Sequence, residues 1–221
     1  MMLIDPPRGA GLAELRDQKA DIVKSLLPLS AETTVRGQYE GYHKVDGVAT
    51  DSTTETFVAV RLASDTWRWA GVPILIRAGK CMPVTATEVR VQFRPPPQNV
   101  FGLDPFGNDN ALRFRIWPET EVGLSIAGKQ PGAGFEPKVE ELAFAARPGS
   151  DMRPYDRLIG AALAGERWLF ARQDTVEAAW KVVDPILGDA VPVHTYSPGT
   201  WGPPEADALL PEGETWHDPQ T

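Results

Sequence analysis

The chain has 221 residues, 42% of them hydrophobic and 24% charged, with a formal net charge of −8 at pH 7. This length allows one large domain or two small ones, and the acidic balance argues against nucleic acid or an anionic membrane surface as the main partner. A single cysteine, Cys81, excludes an internal disulfide and favours a cytoplasmic setting, and no apolar stretch reaches the ~20 residues of a membrane span.

The N-terminal part of the chain changes from a helical pattern to an extended one. Residues 12–29 carry apolar side chains at roughly helical spacing, which predicts an amphipathic helix. Extended segments follow at 34–42 and 56–63. The continuous apolar run at 72–76 predicts a strand that is covered on both faces.

The middle of the chain alternates between apolar and polar residues. This period of two predicts a strand at 87–94, a hairpin at 111–129 that turns at Pro118, and a further strand at 138–146. Segments of this kind that follow one another closely are typical of antiparallel pairing.

Helical patterns return near the C-terminus. Residues 154–164 have helical spacing, Asp174 with Glu177 forms a capping-box pattern that predicts an N-cap at Asp174, and a short helix is expected after Pro204. Because the helices flank a block of strands, we predict an α+β fold with a large mixed, mainly antiparallel sheet and helices packed on one face. We expect residues 1–221 to form one domain.

No motif has the spacing of a nucleotide-binding loop. The glycine-rich segments at 9–11 and 132–134 lack the strand–turn–helix context of the dinucleotide fingerprint. A phosphate-binding P-loop ending in Gly79-Lys80 would need a glycine at position 74 and a serine or threonine at position 81. This chain has Ile74 and Cys81 there, so the motif is absent. From the residues we therefore predict no cofactor-binding site in this chain.

The histidines and the cysteine offer no catalytic or metal pattern. The three histidines, His43, His194 and His217, are widely spaced and have no partner carboxylate fixed by local sequence, so surface or structural roles are favoured. Cys81 adjoins apolar residues, which favours a small buried side chain over a nucleophile.

Lys80 has the best placement for binding a ligand. It follows an apolar strand through Arg77, Ala78 and Gly79, at the strand end where ligands often meet a sheet. Its ammonium could bind a phosphate, and Gly79 would allow close approach of the backbone. A solvated loop lysine explains the pattern equally well, and Arg77 could share the anion or pair with a carboxylate.

A set of longer motifs identifies a family. They are RGQY at 36–39, STTETF at 52–57, WRWAGVPILIRAGK at 67–80 and GTWGP at 199–203. In this order and spacing the chain resembles glucose-6-phosphate dehydrogenase, specifically its large C-terminal domain. The similarity runs from about residue 12 to about residue 210 and leaves 211–221 as a tail.

The resemblance implies substrate contacts and an assembly. Lys80 matches a family lysine that contacts glucose 6-phosphate, and the family's second basic contact falls at Thr85, so these two are the expected substrate-binding residues. Arg77 and Arg90 are candidate phosphate-binding or structural neighbours. The resemblance also implies that two copies dimerise through the sheet.

Some animal members of this family hold a structural NADP on the same domain. The first of its basic positions aligns with Ala86, and Trp117, Gly123 and Ser125 stand where that group has polar, tyrosine and lysine residues. Only Arg90 is kept. The resemblance therefore implies no structural NADP on this chain.

The family's redox chemistry lies on segments that this sequence does not contain. Members begin with a Rossmann domain, followed by an RIDHYLGK segment and a catalytic Asp–His pair that removes a proton while hydride passes from the sugar to NADP. The complete enzyme is expected to convert glucose 6-phosphate to 6-phosphogluconolactone in the oxidative pentose phosphate pathway. This chain alone is expected to be inactive, with no catalytic residue of its own.

Three interpretations follow. In the first, the chain is the C-terminal part of such an enzyme: a truncated product, a fragment, or one half of a split enzyme whose partner is the Rossmann half. In the second, it is a free-standing non-catalytic protein that dimerises or that binds and regulates a full-length dehydrogenase. In the third, it is an independent sugar-phosphate-binding module built around Lys80. The intact motifs at 67–80 and 199–203 favour the first.

Overall fold

The computed structural model describes residues 2–6, 9, 11–94, 98, 110–132, 137–145, 154–167 and 169–220. The chain forms two compact units. The first comprises Met1–Met82 and Met152–Pro211, and the second comprises Pro83–Asp151 and Glu212–Thr221. Among the described residues, no helix is both long and apolar enough to cross a membrane.

The first unit combines a four-stranded sheet with three helices. Its strands are β1 (Thr34–Tyr39), β2 (Phe57–Leu62), β3 (Ile74–Gly79) and β8 (Val193–Tyr196), numbered in chain order along the whole protein. Its helices are α1 (Leu12–Lys24), α2 (Pro154–Leu163) and α3 (Gln173–Val183). A short 3₁₀ helix spans Pro204–Leu209, within one residue of the start that the sequence predicts, after Pro204.

The strands of the first unit lie in the order β3-β2-β1-β8. The β1–β2 and β2–β3 pairs are antiparallel, whereas β8 pairs with β1 in parallel, so that Tyr196 lies opposite Tyr39. The core of this unit is formed by apolar side chains of β2, α3, the segment between α1 and β1, and the segment after α3. These are Leu29, Val60, Leu62, Val182, Ile186 and Val191.

The second unit contains an antiparallel meander. Its strands β4 (Thr87–Gln92), β5 (Ala111–Trp117), β6 (Glu121–Lys129) and β7 (Pro137–Ala145) lie in that order. Alternation places most charged side chains on one face and most apolar side chains on the other, with Lys138 and Glu140 of β7 on the apolar side. We call the second the apolar sheet face; it consists of Val89, Val91, Phe93, Leu112, Phe114, Ile116, Val122, Leu124, Ile126, Leu142 and Phe144.

The α+β class and the mainly antiparallel pairing predicted from the sequence are confirmed, with the strands divided between two sheets of four. Two local predictions are wrong. β3 is an edge strand and Ile76 is 45% exposed, so the apolar run is not covered on both faces. Helix α3 has Arg172 as its N-cap, because the Asp174 carboxylate accepts hydrogen bonds from Arg172 and Lys24 instead of capping the helix.

Candidate functional site

Lys80 lies immediately after β3 with its backbone held on both sides. Its N–H donates to the Thr56 carbonyl at 2.8 Å, and its own carbonyl accepts a hydrogen bond from Tyr196 Oη at 2.7 Å. The side chain is exposed, and within the described ranges no carboxylate forms an ion pair with its ammonium. A fixed backbone therefore presents an exposed cation that is available to an anionic ligand.

The chain turns sharply after Lys80. Cys81 adopts a left-handed conformation with φ of 52°, and its carbonyl accepts a hydrogen bond from Gly199 N–H at 2.7 Å. Cys81 is exposed, so the prediction of a small buried side chain is wrong. The apolar run at 72–76 ends five residues before Cys81 and β3 ends at Gly79, so Cys81 lies in the turn and not in the strand.

Gly79 is required for packing beneath this turn. A Cβ at this position would lie 2.8 Å from Phe57 Cδ2 and 3.0 Å from Met82 Sδ. The glycine thus lets β3 approach the Phe57 ring closely.

Arg77 is tied to the GTWGP segment, which the sequence places more than 100 residues away. Its guanidinium carbon lies 4.7 Å from the centroid of the Trp201 ring, within the range of a cation–π interaction. This contact brings together two motifs that carry the family resemblance. It gives Arg77 a structural role next to Lys80.

The hydroxyl of Tyr196 links three segments around Lys80. Besides its bond to the Lys80 carbonyl, Oη lies 3.1 Å from Thr56 Oγ1, which in turn accepts the Tyr39 N–H at 3.0 Å. Burial raises the pKa of Tyr196, and the nearby Cys81 thiol acts in the same direction. The hydroxyl therefore keeps its proton at neutral pH.

The RGQY and STTETF motifs serve the fold around the site. Arg36 is buried and donates to the carbonyls of Gly188 (2.6 Å) and Val191 (3.2 Å) and to the Glu55 carboxylate (2.9 Å). Such a pairing removes most of the cost of burying a guanidinium. Sequence reasoning used these motifs only as family markers, and nothing local to them signals partners 150 residues away.

The other two predicted site residues lie in the second unit. Thr85 is exposed in the segment before β4, and Arg90 lies within β4, where its Nε donates to Gln92 Oε1 at 3.3 Å. Lys80 and Arg77 belong to the first unit. The predicted set is therefore divided between the two units.

A charge cluster covers the polar face of the second sheet. Glu88, whose side chain is only 1% exposed, accepts hydrogen bonds from Arg113, Arg115 and His217. Arg113 also pairs with Glu121 and Glu141. Burial acts to raise the pKa of Glu88, but the bonds from His217 and Arg115 outweigh it, so the pKa lies below its ordinary value.

This cluster does not fit a dinucleotide phosphate. The side chains of Arg113 and Arg115 are already neutralised by three carboxylates, those of Glu88, Glu121 and Glu141. A phosphate placed here would meet negative as well as positive charge. The charges of Arg113 and Arg115 are therefore balanced within the cluster itself.

The histidines make contacts that their sequence neighbours do not predict. His43 is exposed, with Nδ1 3.4 Å from the Ala49 carbonyl. His194 lies 3.1 Å from the Glu205 carboxylate, and His217 contacts Glu88, 129 residues away. Residue 217, expected in a tail, thus belongs to the charge cluster of the second unit.

Comparison with known proteins gives consistent matches along the chain. The family model described as "Glucose-6-phosphate dehydrogenase, C-terminal domain" matches residues 1–217. "Glucose-6-phosphate 1-dehydrogenase 1" of Mycobacterium bovis is 40% identical over 221 residues, covering 99% of this chain and 47% of that protein. The chain thus spans about half the length of the curated relatives that it matches.

Solved structures agree with this similarity. The crystal structure of glucose-6-phosphate 1-dehydrogenase from Mycobacterium avium superposes with a TM-score of 0.86 at 40% identity, covering 99% of this chain and 47% of that one. A glucose-6-phosphate dehydrogenase in complex with its substrate glucose-6-phosphate gives a TM-score of 0.82 at 28% identity, covering 98% of this chain and 48% of that one.

Proposed function

This chain belongs to the glucose-6-phosphate dehydrogenase family through its match to the C-terminal domain, and from that premise we propose that it is the substrate-binding and dimerisation portion of such an enzyme. The activity proposed for the complete enzyme is oxidation of glucose 6-phosphate to 6-phosphogluconolactone with NADP. The observation that carries the proposal is the placement of Lys80 on a fixed backbone at the end of β3.

Lys80 is proposed to bind glucose 6-phosphate by charge. Its ammonium is exposed and has no ion pair among the described residues, so an anionic substrate does not have to displace a carboxylate. Hydrogen bonds to a charged group are stronger than neutral ones because the charge adds to the interaction. A related enzyme has been solved with this substrate bound, which supports the choice of ligand.

The remaining predicted residues have secondary roles in this proposal. Thr85 is proposed to contact the substrate through its hydroxyl, which is a weaker phosphate ligand than a lysine. Arg77, stacked on Trp201, supports the end of β3. Arg90 lies on the polar face of the second sheet and is proposed to act as a structural neighbour.

The nicotinamide chemistry is assigned to a nucleotide-binding half that is not represented in these 221 residues. The printed sequence contains neither the glycine fingerprint nor the family's Asp–His pair. Without positioned cofactor and base, most of the rate enhancement of such an enzyme is missing. We propose that the 221-residue chain alone does not reduce NADP.

Dimerisation is proposed to occur through the apolar sheet face of the second unit. Five of its side chains are at least 43% exposed, and Phe144 reaches 70%. These are Phe93, Ile116, Ile126, Leu142 and Phe144. Contiguous exposed apolar surface of this kind marks an interaction site, and a second copy of the same face can cover it symmetrically.

The test is complementation. The purified chain is mixed with the separately expressed N-terminal half of a full-length relative, and NADPH formation from glucose 6-phosphate is followed. We expect activity only in the mixture. Lys80→Ala should lower kcat/KM by about 10- to 100-fold, the value of a hydrogen bond to a charged group.

Lys44→Ala is the matched control, since Lys44 is an exposed lysine of the same unit that also lacks an ion pair among the described residues. It should leave kcat/KM within about twofold. A stable dimer that never complements would instead favour a non-catalytic dimerisation or regulatory protein. Sugar-phosphate binding by the chain alone would favour the independent module.

A further inference from the structure

Tyr196 is a buried residue at the end of β8 whose hydroxyl reaches the backbone of Lys80. The residue is 3% exposed. Its ring is held by aromatic neighbours: the Phe57 centroid lies 5.5 Å away and the Tyr39 centroid 6.4 Å away. Packing therefore restricts where the Oη atom can go.

Two carbonyl oxygens lie within hydrogen-bond distance of Tyr196 Oη, that of Lys80 at 2.7 Å and that of Thr56 at 3.3 Å. A tyrosine hydroxyl donates one proton, and the shortest bond, 2.7 Å, runs to the Lys80 carbonyl. Thr56 Oγ1 already accepts the Tyr39 N–H, so its own proton is available to Oη at 3.1 Å. The order is Tyr39 N–H to Thr56, Thr56 to Tyr196, and Tyr196 to Lys80.

Lys80 is thereby fixed at both of its backbone groups. Its N–H is held by the Thr56 carbonyl and its carbonyl by Tyr196, while the next carbonyl, that of Cys81, is held by Gly199 N–H. The left-handed turn at Cys81 depends on these anchors, because a non-glycine residue in that conformation carries strain.

We propose that the Tyr196 hydroxyl is a positioning group for Lys80, setting the direction in which the lysine side chain leaves β3 toward the substrate. The inference rests on the proposed role of Lys80 in binding glucose 6-phosphate. Tyr196 is buried and acts through the backbone, so it does not touch the substrate. Its loss should weaken substrate binding more than it slows turnover.

The first measurement is amide hydrogen exchange in the full 221-residue chain. In Tyr196→Phe the ring stays and only the hydroxyl is lost, so the Lys80 amide should exchange about three- to tenfold faster, the ratio expected for one hydrogen bond. Tyr42→Phe is the matched control: Tyr42 belongs to the same aromatic cluster, and its hydroxyl bonds to no described residue. Unchanged exchange at Lys80 in Tyr196→Phe would overturn the inference by itself.

The second measurement is steady-state kinetics in the complementing mixture. Tyr196→Phe should raise KM for glucose 6-phosphate about three- to tenfold and leave kcat within about twofold. Thr56→Val, which removes the donor to Tyr196, should shift KM in the same direction. Thr56→Ser keeps the hydroxyl and should restore the wild-type value.

The outcomes separate the two proposals. If Lys80→Ala leaves KM unchanged, or if the wild-type mixture is inactive, the proposed function fails and this inference fails with it. If Lys80→Ala raises KM but Tyr196→Phe does not, only the positioning role of Tyr196 is overturned. A fall in kcat with constant KM in Tyr196→Phe would overturn it as well.

Discussion

The two sheets of this protein have four strands each but are held together by different chemistry. In the first unit β8 pairs with β1, which lies more than 150 residues earlier, and aromatic rings and backbone bonds fix the end of β3. In the second, each strand pairs with the next along the chain, and ionic contacts cover one face. The stability of the first unit should therefore depend mainly on close packing, and the stability of the second mainly on its ion pairs.

Gly202→Ala tests the packing of the first unit and should cause the largest loss of stability. A Cβ at Gly202 would overlap the Phe57 ring, and the backbone has φ of +106°, which disfavours any side chain. We expect a loss of about 4 kcal/mol in the free energy of unfolding, from overpacking and backbone strain together. Urea denaturation measures this loss, and hydrogen exchange at β1 and β2 shows whether it affects the first sheet.

Gly199→Ala separates the two causes. Gly199 also has a positive φ, +79°, but no atom lies within 4 Å of the added Cβ. It should cost only about 1–2 kcal/mol, the strain of a left-handed residue. Equal losses in both variants would mean that contact with Phe57 contributes nothing.

Arg113→Met tests the ion pairs of the second unit. The Arg113 side chain is 13% exposed and pairs with Glu88, Glu121 and Glu141. Its removal takes this cation away from Glu121 and Glu141, whereas Glu88 keeps Arg115 and His217. We expect a loss of about 3 kcal/mol, as when one partner of a buried pair is removed. Lys138→Met, which breaks an exposed pair with Glu140 in the same sheet, should cost less than about 1 kcal/mol.

Acidification should weaken the second unit through Glu88. Because the folded-state pKa of Glu88 is lowered, its carboxylate stabilises the fold above the unfolded value near 4.5, and this contribution is lost as pH falls through the folded value. Glu88→Gln should flatten the dependence of unfolding free energy on pH below 4.5. Glu119→Gln, at an exposed carboxylate between β5 and β6, should leave the slope as it is.

Phe144→Glu should have the smallest effect on stability and a clear effect on assembly. Phe144 is 70% exposed on the apolar sheet face, so the unfolding free energy of the monomer should change by less than about 0.5 kcal/mol. Light scattering should show a shift from dimer to monomer. Tyr155→Glu, at an equally exposed ring on α2, should leave the dimer intact; dissociation by Tyr155→Glu alone would place the interface on the first unit.

Much of the fold could be predicted because periodicity is a local property. The alternation at 87–94 and 111–129 predicts β4, β5 and β6 within two residues of their ends. The division into two sheets could not be predicted, since it depends on which strands pair. Nor could the edge position of β3, because an apolar run looks the same in a central strand.

For the candidate site, the sequence indicated Lys80 but not its supports. Tyr196 and Gly199 hold the chain around Lys80 from about 115 residues away, and no local pattern marks such a contact. His217 was assigned to a tail for the same reason, since its partner Glu88 lies 129 residues earlier. Hydrogen bonds between residues far apart in the chain leave no periodic pattern in the sequence, so they cannot be predicted from it.

The parallel pairing of β8 with β1 has a consequence for synthesis on the ribosome. Residues 193–196 are translated more than 150 residues after residues 34–39, so the first sheet lacks its fourth strand until then. The strands of the meander emerge consecutively and can pair during translation. The Lys80 turn is therefore completed only after residues 196–199 have left the ribosome, and β1 has an open edge until then.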